Sequence, residues 1–130
     1  MSEISVPVSP GELLDKITIL RIKAARMSDP GKLANVRREL DVLDGLWSAS
    51  VYAQRDTLAD VAALQAVNER LWDIEDRIRD KERAASFDAG FIELARAVYV
   101  ENDERAAIKK RINLALGSKI VEEKSYAQYR

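Results

Sequence analysis

Histidine and cysteine are both absent from this chain of 130 residues. Without them there is no imidazole base, thiolate nucleophile, disulfide, iron–sulfur ligand or ordinary zinc site. Chemistry is left to carboxylates, Lys, Arg, Tyr, Ser, Thr and side-chain amides. The most suggestive set lies in the last third of the chain. Asn102, Arg105, Lys109 and Asn113 recur at helical spacing, which places two amides and two cations along one stripe. Phe91, Leu94, Ala95, Val98, Ile112 and Leu116 define the apolar face of the same segment, and the polar stripe falls within about 50° of Phe91. Charges on a core-facing stripe need partners, because an unpaired buried charge costs several kcal/mol.

Two readings of that stripe follow. In the first, carboxylates from neighbouring helices neutralise it: Glu75 or Glu82, which flank the apolar side of the preceding helix together with Asn68, or Glu12 and Asp15 near the N-terminus. Asn102 and Asn113 then fix helix register. In the second, the stripe lines a pocket for a small anion, with Arg105 forking a carboxylate or phosphate and Lys109 adding a point charge. Both hold together if Glu75 orients Arg105 while a ligand takes its other side. The candidate ligand-binding set is therefore Asn68, Glu75, Asn102, Arg105, Lys109 and Asn113. No metal site and no cofactor are expected.

Two enzyme readings stand beside these. Buried Arg, Lys, Glu and amide groups in a helical bundle resemble the all-helical chorismate mutases, which clamp a dicarboxylate electrostatically. Arg37-Arg38-Glu39-Leu40-Asp41-Val42-Leu43-Asp44 resembles the opening of that family's first long helix. Here it lies on a second, short helix without the matching downstream Arg and Lys spacing. The segments 73–76 (Asp-Ile-Glu-Asp) and 101–104 (Glu-Asn-Asp-Glu) are similar to the paired acidic motifs of all-α nucleotide pyrophosphohydrolases, which hold magnesium. Asp73 and Asp76, however, fall on the side away from the apolar stripe.

The elements that must position these residues are helical. Ser9-Pro10-Gly11-Glu12 reads as a capping box opening a helix over 10–27, with Leu13, Ile17, Leu20, Ala24 and Met27 as seam and Ile19 and Ile22 opposite it. Asp29-Pro30 caps a second helix to Trp47, and Thr57 with Asp60 caps a third over 57–84. A fourth runs over 88–116, closed by Gly117. The last two are each roughly 40 Å long and the first two nearer 27 Å. The overhang leaves apolar surface that the tail, 118–130, or a second copy of the chain must bury. Residues Ile4 to Val8 alternate apolar and small, an extended segment limited to a sheet edge by Pro7. The fold expected is all-α: one domain, 1–130, a bundle of about four helices with an ordered tail.

Charge narrows the partners. Lys plus Arg is 21 and Asp plus Glu is 22, giving a net charge of −1 and a pI near 5.6. That balance lacks the basic excess of a nucleic-acid binder, and Lys109-Lys110-Arg111, with two of its three members off the core face, reads as a solvated turn near a helix C-terminus. No uncharged stretch approaches the roughly 20 residues of a membrane span, and no leader pattern opens the chain, so a cytoplasmic location is expected. Glu69, Asp73, Asp76 and Asp80 form a solvated acidic stripe.

Several segments taken together carry a family resemblance. They are Gly11-Glu12-Leu13-Leu14-Asp15-Lys16-Ile17-Thr18-Ile19-Leu20, Leu71-Trp72-Asp73-Ile74-Glu75-Asp76 with Ile78-Arg79, Asn102-Asp103 with Arg105, Gly117-Ser118, and Glu122-Glu123-Lys124-Ser125-Tyr126. In this order they resemble a bacterial family of small helical proteins, a domain of unknown function with relatives in some bacteriophages, over about Ile4 to Tyr126. The resemblance implies a single cytoplasmic domain and supplies no activity. It also implies that the tail belongs to the folded unit, with Ile120 and Tyr126 as apolar anchors and Glu122 or Glu123 pairing with Lys109 or Arg105. The function expected is a helical binding or interaction module, self-associating as a homodimer, whose polar cluster binds a small anion. The alternative is a metal-free enzyme on a small carboxylated or phosphorylated metabolite.

Overall fold

The computed structural model describes residues 2–130. It contains four helices: α1 (Pro10–Arg26), α2 (Pro30–Ser48), α3 (Leu58–Arg83) and α4 (Ala89–Ala115), with no strand among the described residues. Each sequence-derived boundary lies within a residue of the observed one, because strong local signals set them. Ser9 accepts from the Glu12 N–H at 3.1 Å with Pro10 in the first turn, and Asp29 accepts from the Lys32 N–H at 2.8 Å. One cap differs: Thr57 makes no side-chain capping bond, and the Leu58 N–H goes to Asp56 Oδ1 instead. The Glu12 carboxylate also does not reach back to the cap; it turns to lysines, described below.

The helices run up, down, up and down. Arg21 meets Asp44 between α1 and α2, and Arg70 meets Glu101 and Arg111 meets Asp60 between α3 and α4. α1 is the central element, packing against each of the other three, while α2 packs only on α1. Its two-sided apolar pattern produces this, with Leu14, Ile17, Leu20 and Ile22 all buried. α2 buries Val36 alone and leaves Val42 and Leu46 exposed. The core joins Leu14, Leu64, Val67, Ile108, Ile112 and Leu116, and the partly buried Trp47 and Tyr52 pack against it.

Both long helices end in an i→i−5 backbone bond, Ser86 N–H to Lys81 O and Ser118 N–H to Asn113 O, each 2.9 Å. The left-handed residue is Gly117 after α4, but Ala85 (φ 50°) after α3. The overhang of α3 and α4 beyond α1 is real and is not covered by the tail: Phe87 and Ile92 stay more than half exposed. The tail instead runs back along α4. Glu122 pairs with Lys109, Glu123 with Lys110, and Tyr129 with Asp103 and the edge of the Tyr99 ring. The expected anchors Ile120 and Tyr126 are exposed, since charge pairs and Tyr129 hold the tail. Residues 2–8 are exposed and form no strand. No helix among the described residues is long and apolar enough to cross a membrane.

Candidate functional site

Asp15 on the inner face of α1 is wholly buried, and the polar centre of the bundle is built around it. Arg105 from α4 donates Nε to both Asp15 oxygens, at 2.9 and 3.0 Å, and Nη2 to Oδ2. Asn68 from α3 donates Nδ2 to Asp15 Oδ1 at 2.9 Å and to Thr18 Oγ1 at 3.0 Å. The Thr18 hydroxyl donates to the Asp15 carbonyl at 2.8 Å. Three helices therefore converge on one carboxylate, and a bidentate guanidinium is the pairing best able to hold it out of water.

One turn toward the α1 N-terminus, Lys109 is nearly buried and lies 2.5 Å from Glu12, 3.1 Å from Glu122 of the tail and 3.9 Å from Asp15. Burial works against its charge, but the hydrogen bonds it donates to Glu12 and Glu122 outweigh it and raise the ammonium above the usual lysine range. The Arg105 guanidinium is likewise raised, chiefly by its bond to Asp15. Asn113 then accepts the Gly11 N–H at 2.8 Å. The helices touch here. A Cβ on Gly11 would lie 2.6 Å from the Lys109 carbonyl oxygen and 2.8 Å from Asn113 Oδ1, so only glycine allows this approach. Among the described residues no buried side-chain nitrogen or oxygen lacks a hydrogen-bond partner.

Where α1 ends, a groove of about 540 Å³ opens beside this network. α1 contributes Ile19 and Ile22. α3 contributes Asn68, Leu71, Trp72, Glu75, Asp76 and Arg79, and α4 contributes Asn102 and Arg105. Four of the six expected site residues, Asn68, Glu75, Asn102 and Arg105, thus line one concavity. Lys109 and Asn113 do not; Glu12 and the tail enclose the first, and the α1 N-terminus takes up the second. Glu75 does not touch Arg105 either. It pairs with Arg79 one turn along α3, because that partner shares its helix face while Asp15 already holds Arg105.

For Arg105 and Lys109 the structure chooses the carboxylates of α1 over those of α3 as partners. Asp15, Thr18 and Gly11 are functional to the network yet absent from the candidate set. Asp15 had a signal, lying one turn after Glu12 on a helix expected to be central. Thr18 and Gly11 had none separable from an ordinary helix surface and cap.

The segments behind the enzyme readings are dispersed. Glu101 pairs with Arg70, Asp73 with Arg26 and Asp103 with Tyr129, so the acidic motifs of α3 and α4 do not share a cage. On α2, residues 37–39 and 41 are exposed and Asp44 pairs with Arg21, remote from the groove. A second groove of about 700 Å³ toward the turn of the α3–α4 hairpin, lined by Arg77, Lys81, Glu93 and Leu94 among others, holds none of the expected residues.

Residues 4–129 match the model of a family of unknown function, DUF6165. The chain belongs to that family. The match spans the four helices and nearly all of the tail. No curated protein and no solved structure matches the chain.

Proposed function

We propose that this protein is a small-molecule binding module whose site is the groove between α1, α3 and α4, and that its ligand is held there by an anionic group on Arg105. The observation carrying this reading is the state of Arg105. Asp15 takes Nε and Nη2 and locks the guanidinium in place, yet the side chain remains 29% exposed and borders the groove. The remaining nitrogen, Nη1, has no part in the Asp15 fork. A preoriented donor beside apolar walls (Ile19, Leu71 and Trp72), with the Asn102 amide adjacent, matches the usual make-up of a ligand pocket. The fork on Asp15 explains why such a donor needs no reordering on binding.

The test is the melting temperature of the wild type with inorganic phosphate, benzoate and hexanoate, compared with Arg105→Lys and Asn102→Leu. At 100 times the dissociation constant a ligand stabilises by about 2.7 kcal/mol, a shift readily seen. The expected result is a saturable rise for at least one anion in the wild type, much reduced in both variants. No rise with any of them, nor with 6-aminohexanoate, defeats the reading.

Self-association is the second reading, and the exposed Phe87 and Ile92 on the overhanging hairpin favour it. Light scattering across a concentration series should show a dimer that Phe87→Ser weakens, and a monomer throughout would remove it.

A further inference from the structure

The charges around the groove are not of one sign. On the α4 wall stand Arg105 and the Asn102 amide. On the α3 wall stand Glu75, Asp76 and Arg79, one more carboxylate than there are cations. Arg79 is held by Glu75 in an exposed pair within one helix, and Asp76 is exposed. Behind Arg105, Asp15 already balances the guanidinium charge, and Glu12 and Glu122 more than balance Lys109. A purely anionic ligand would therefore enter a site whose nearest cation is already paired and whose opposite wall repels it. The apolar residues Ile19, Leu71 and Trp72 line the space with these two polar walls.

The geometry points to a zwitterionic ligand: a carboxylate or phosphate on Arg105 and Asn102, an ammonium on Glu75 and Asp76, and an apolar body against Leu71 and Trp72. This deepens the reading of Arg105 as the anchor and rests on it. Each end meets the wall of opposite charge, and binding leaves the net charge of the groove unchanged. Specificity comes from the α3 carboxylates, which attract the ammonium end and penalise a ligand lacking it.

The experiment uses the full chain carrying Trp47→Phe, which leaves Trp72 in the groove as the sole indole reporter. Its fluorescence is titrated with hexanoate, hexylamine and 6-aminohexanoate, and then with the series from 4-aminobutanoate to 8-aminooctanoate to find the span. The proposal expects one member of the series to bind about tenfold more tightly than the plain acid or amine of its length. That advantage should vanish in Glu75→Gln/Asp76→Asn, whose positions are not buried and whose fold is checked by circular dichroism. If hexanoate binds as tightly as every amino acid in the series, the ligand is an anion and the zwitterion proposal fails while Arg105 stands as its anchor. If the advantage persists in the double variant, the α3 wall is not its source and the proposal fails as well. If no acid of either kind binds, the anchor and the proposal fall together.

Discussion

Arg105 with Asp15 and Arg79 with Glu75 are the same chemical pair, and both guanidiniums border one groove. The first joins residues 90 apart in sequence, and its carboxylate has no exposure at all. The second joins residues four apart on a single helix, and its carboxylate is 45% exposed. Identical groups thus do different work. The buried pair cannot be opened without leaving a charge out of water, so it sets where α1, α3 and α4 stand. The helical pair is solvated on both sides and can exchange partners at little expense, as the proposed ligand-contacting wall requires. Rigid anchoring sits on one side of the groove and adjustable charge on the other.

The sharpest way to break this comparison is to cut the buried pair. Asp15→Ala removes the acceptor for Arg105 and Asn68 together, and should destabilise by about 3–5 kcal/mol in urea unfolding. Arg105→Met should approach that loss, because it strands a fully buried carboxylate. A loss under about 1 kcal/mol for Asp15→Ala would mean that water reaches the pair freely. Next in size, Gly11→Ala forces α1 away from the Lys109 carbonyl, and should cost about 1–3 kcal/mol by the same measurement. Full stability in that variant would show that the α1–α4 contact is looser than the 2.6 Å approach implies.

Alkaline titration sharpens the comparison on Lys109. Its ammonium is raised above the free lysine value by Glu12 and Glu122 against the effect of burial. Its contribution is therefore intact below the unfolded pKa of about 10.4 and is lost as pH rises through the higher folded value. Melting temperatures from pH 9 upward should fall more slowly in Lys109→Met, which has no such linkage to lose, than in the wild type. Parallel curves would place the alkaline loss elsewhere. The smallest effect belongs to the helical pair: Arg79→Met should change stability by no more than about 0.5 kcal/mol. A loss of 2 kcal/mol or more there would erase the distinction between the two walls.

How much of this was legible in the sequence depends on which contacts are local. Ser9, Asp29 and Gly117 mark helix ends through groups a few residues away, and each marks the observed end. Thr57 misled because Asp56, beside it, offers a competing carboxylate to the first free N–H of α3. The polar stripe on α4 was readable as a demand for partners, since helical spacing alone puts Arg105 and Lys109 among apolar residues. Which partners answered was not readable. Glu12, Asp15, Glu75 and Glu82 are equivalent in type, and choosing among them requires knowing that α1 packs across both α3 and α4. The tail shows the same split. Glu122 meeting Lys109 follows from charge, whereas the choice of Tyr129 over Tyr126 as the aromatic contact depends on how an extended chain lies against Tyr99.

The sequence by itself determined four helices, their ends, a two-sided α1 and a chemistry confined to carboxylates, amides and cations. Those properties come from hydrogen bonds and periodicities within a few turns, where chain connectivity already holds the partners together. Tertiary structure decided that Asp15 takes Arg105, that Glu75 is left on the groove wall, and that Lys109 and Asn113 are enclosed away from it. Such choices depend on depth and on the relative rotation of helices far apart in sequence. Desolvation makes the outcome sharp, because a carboxylate at zero exposure must have its cation and an exposed one need not.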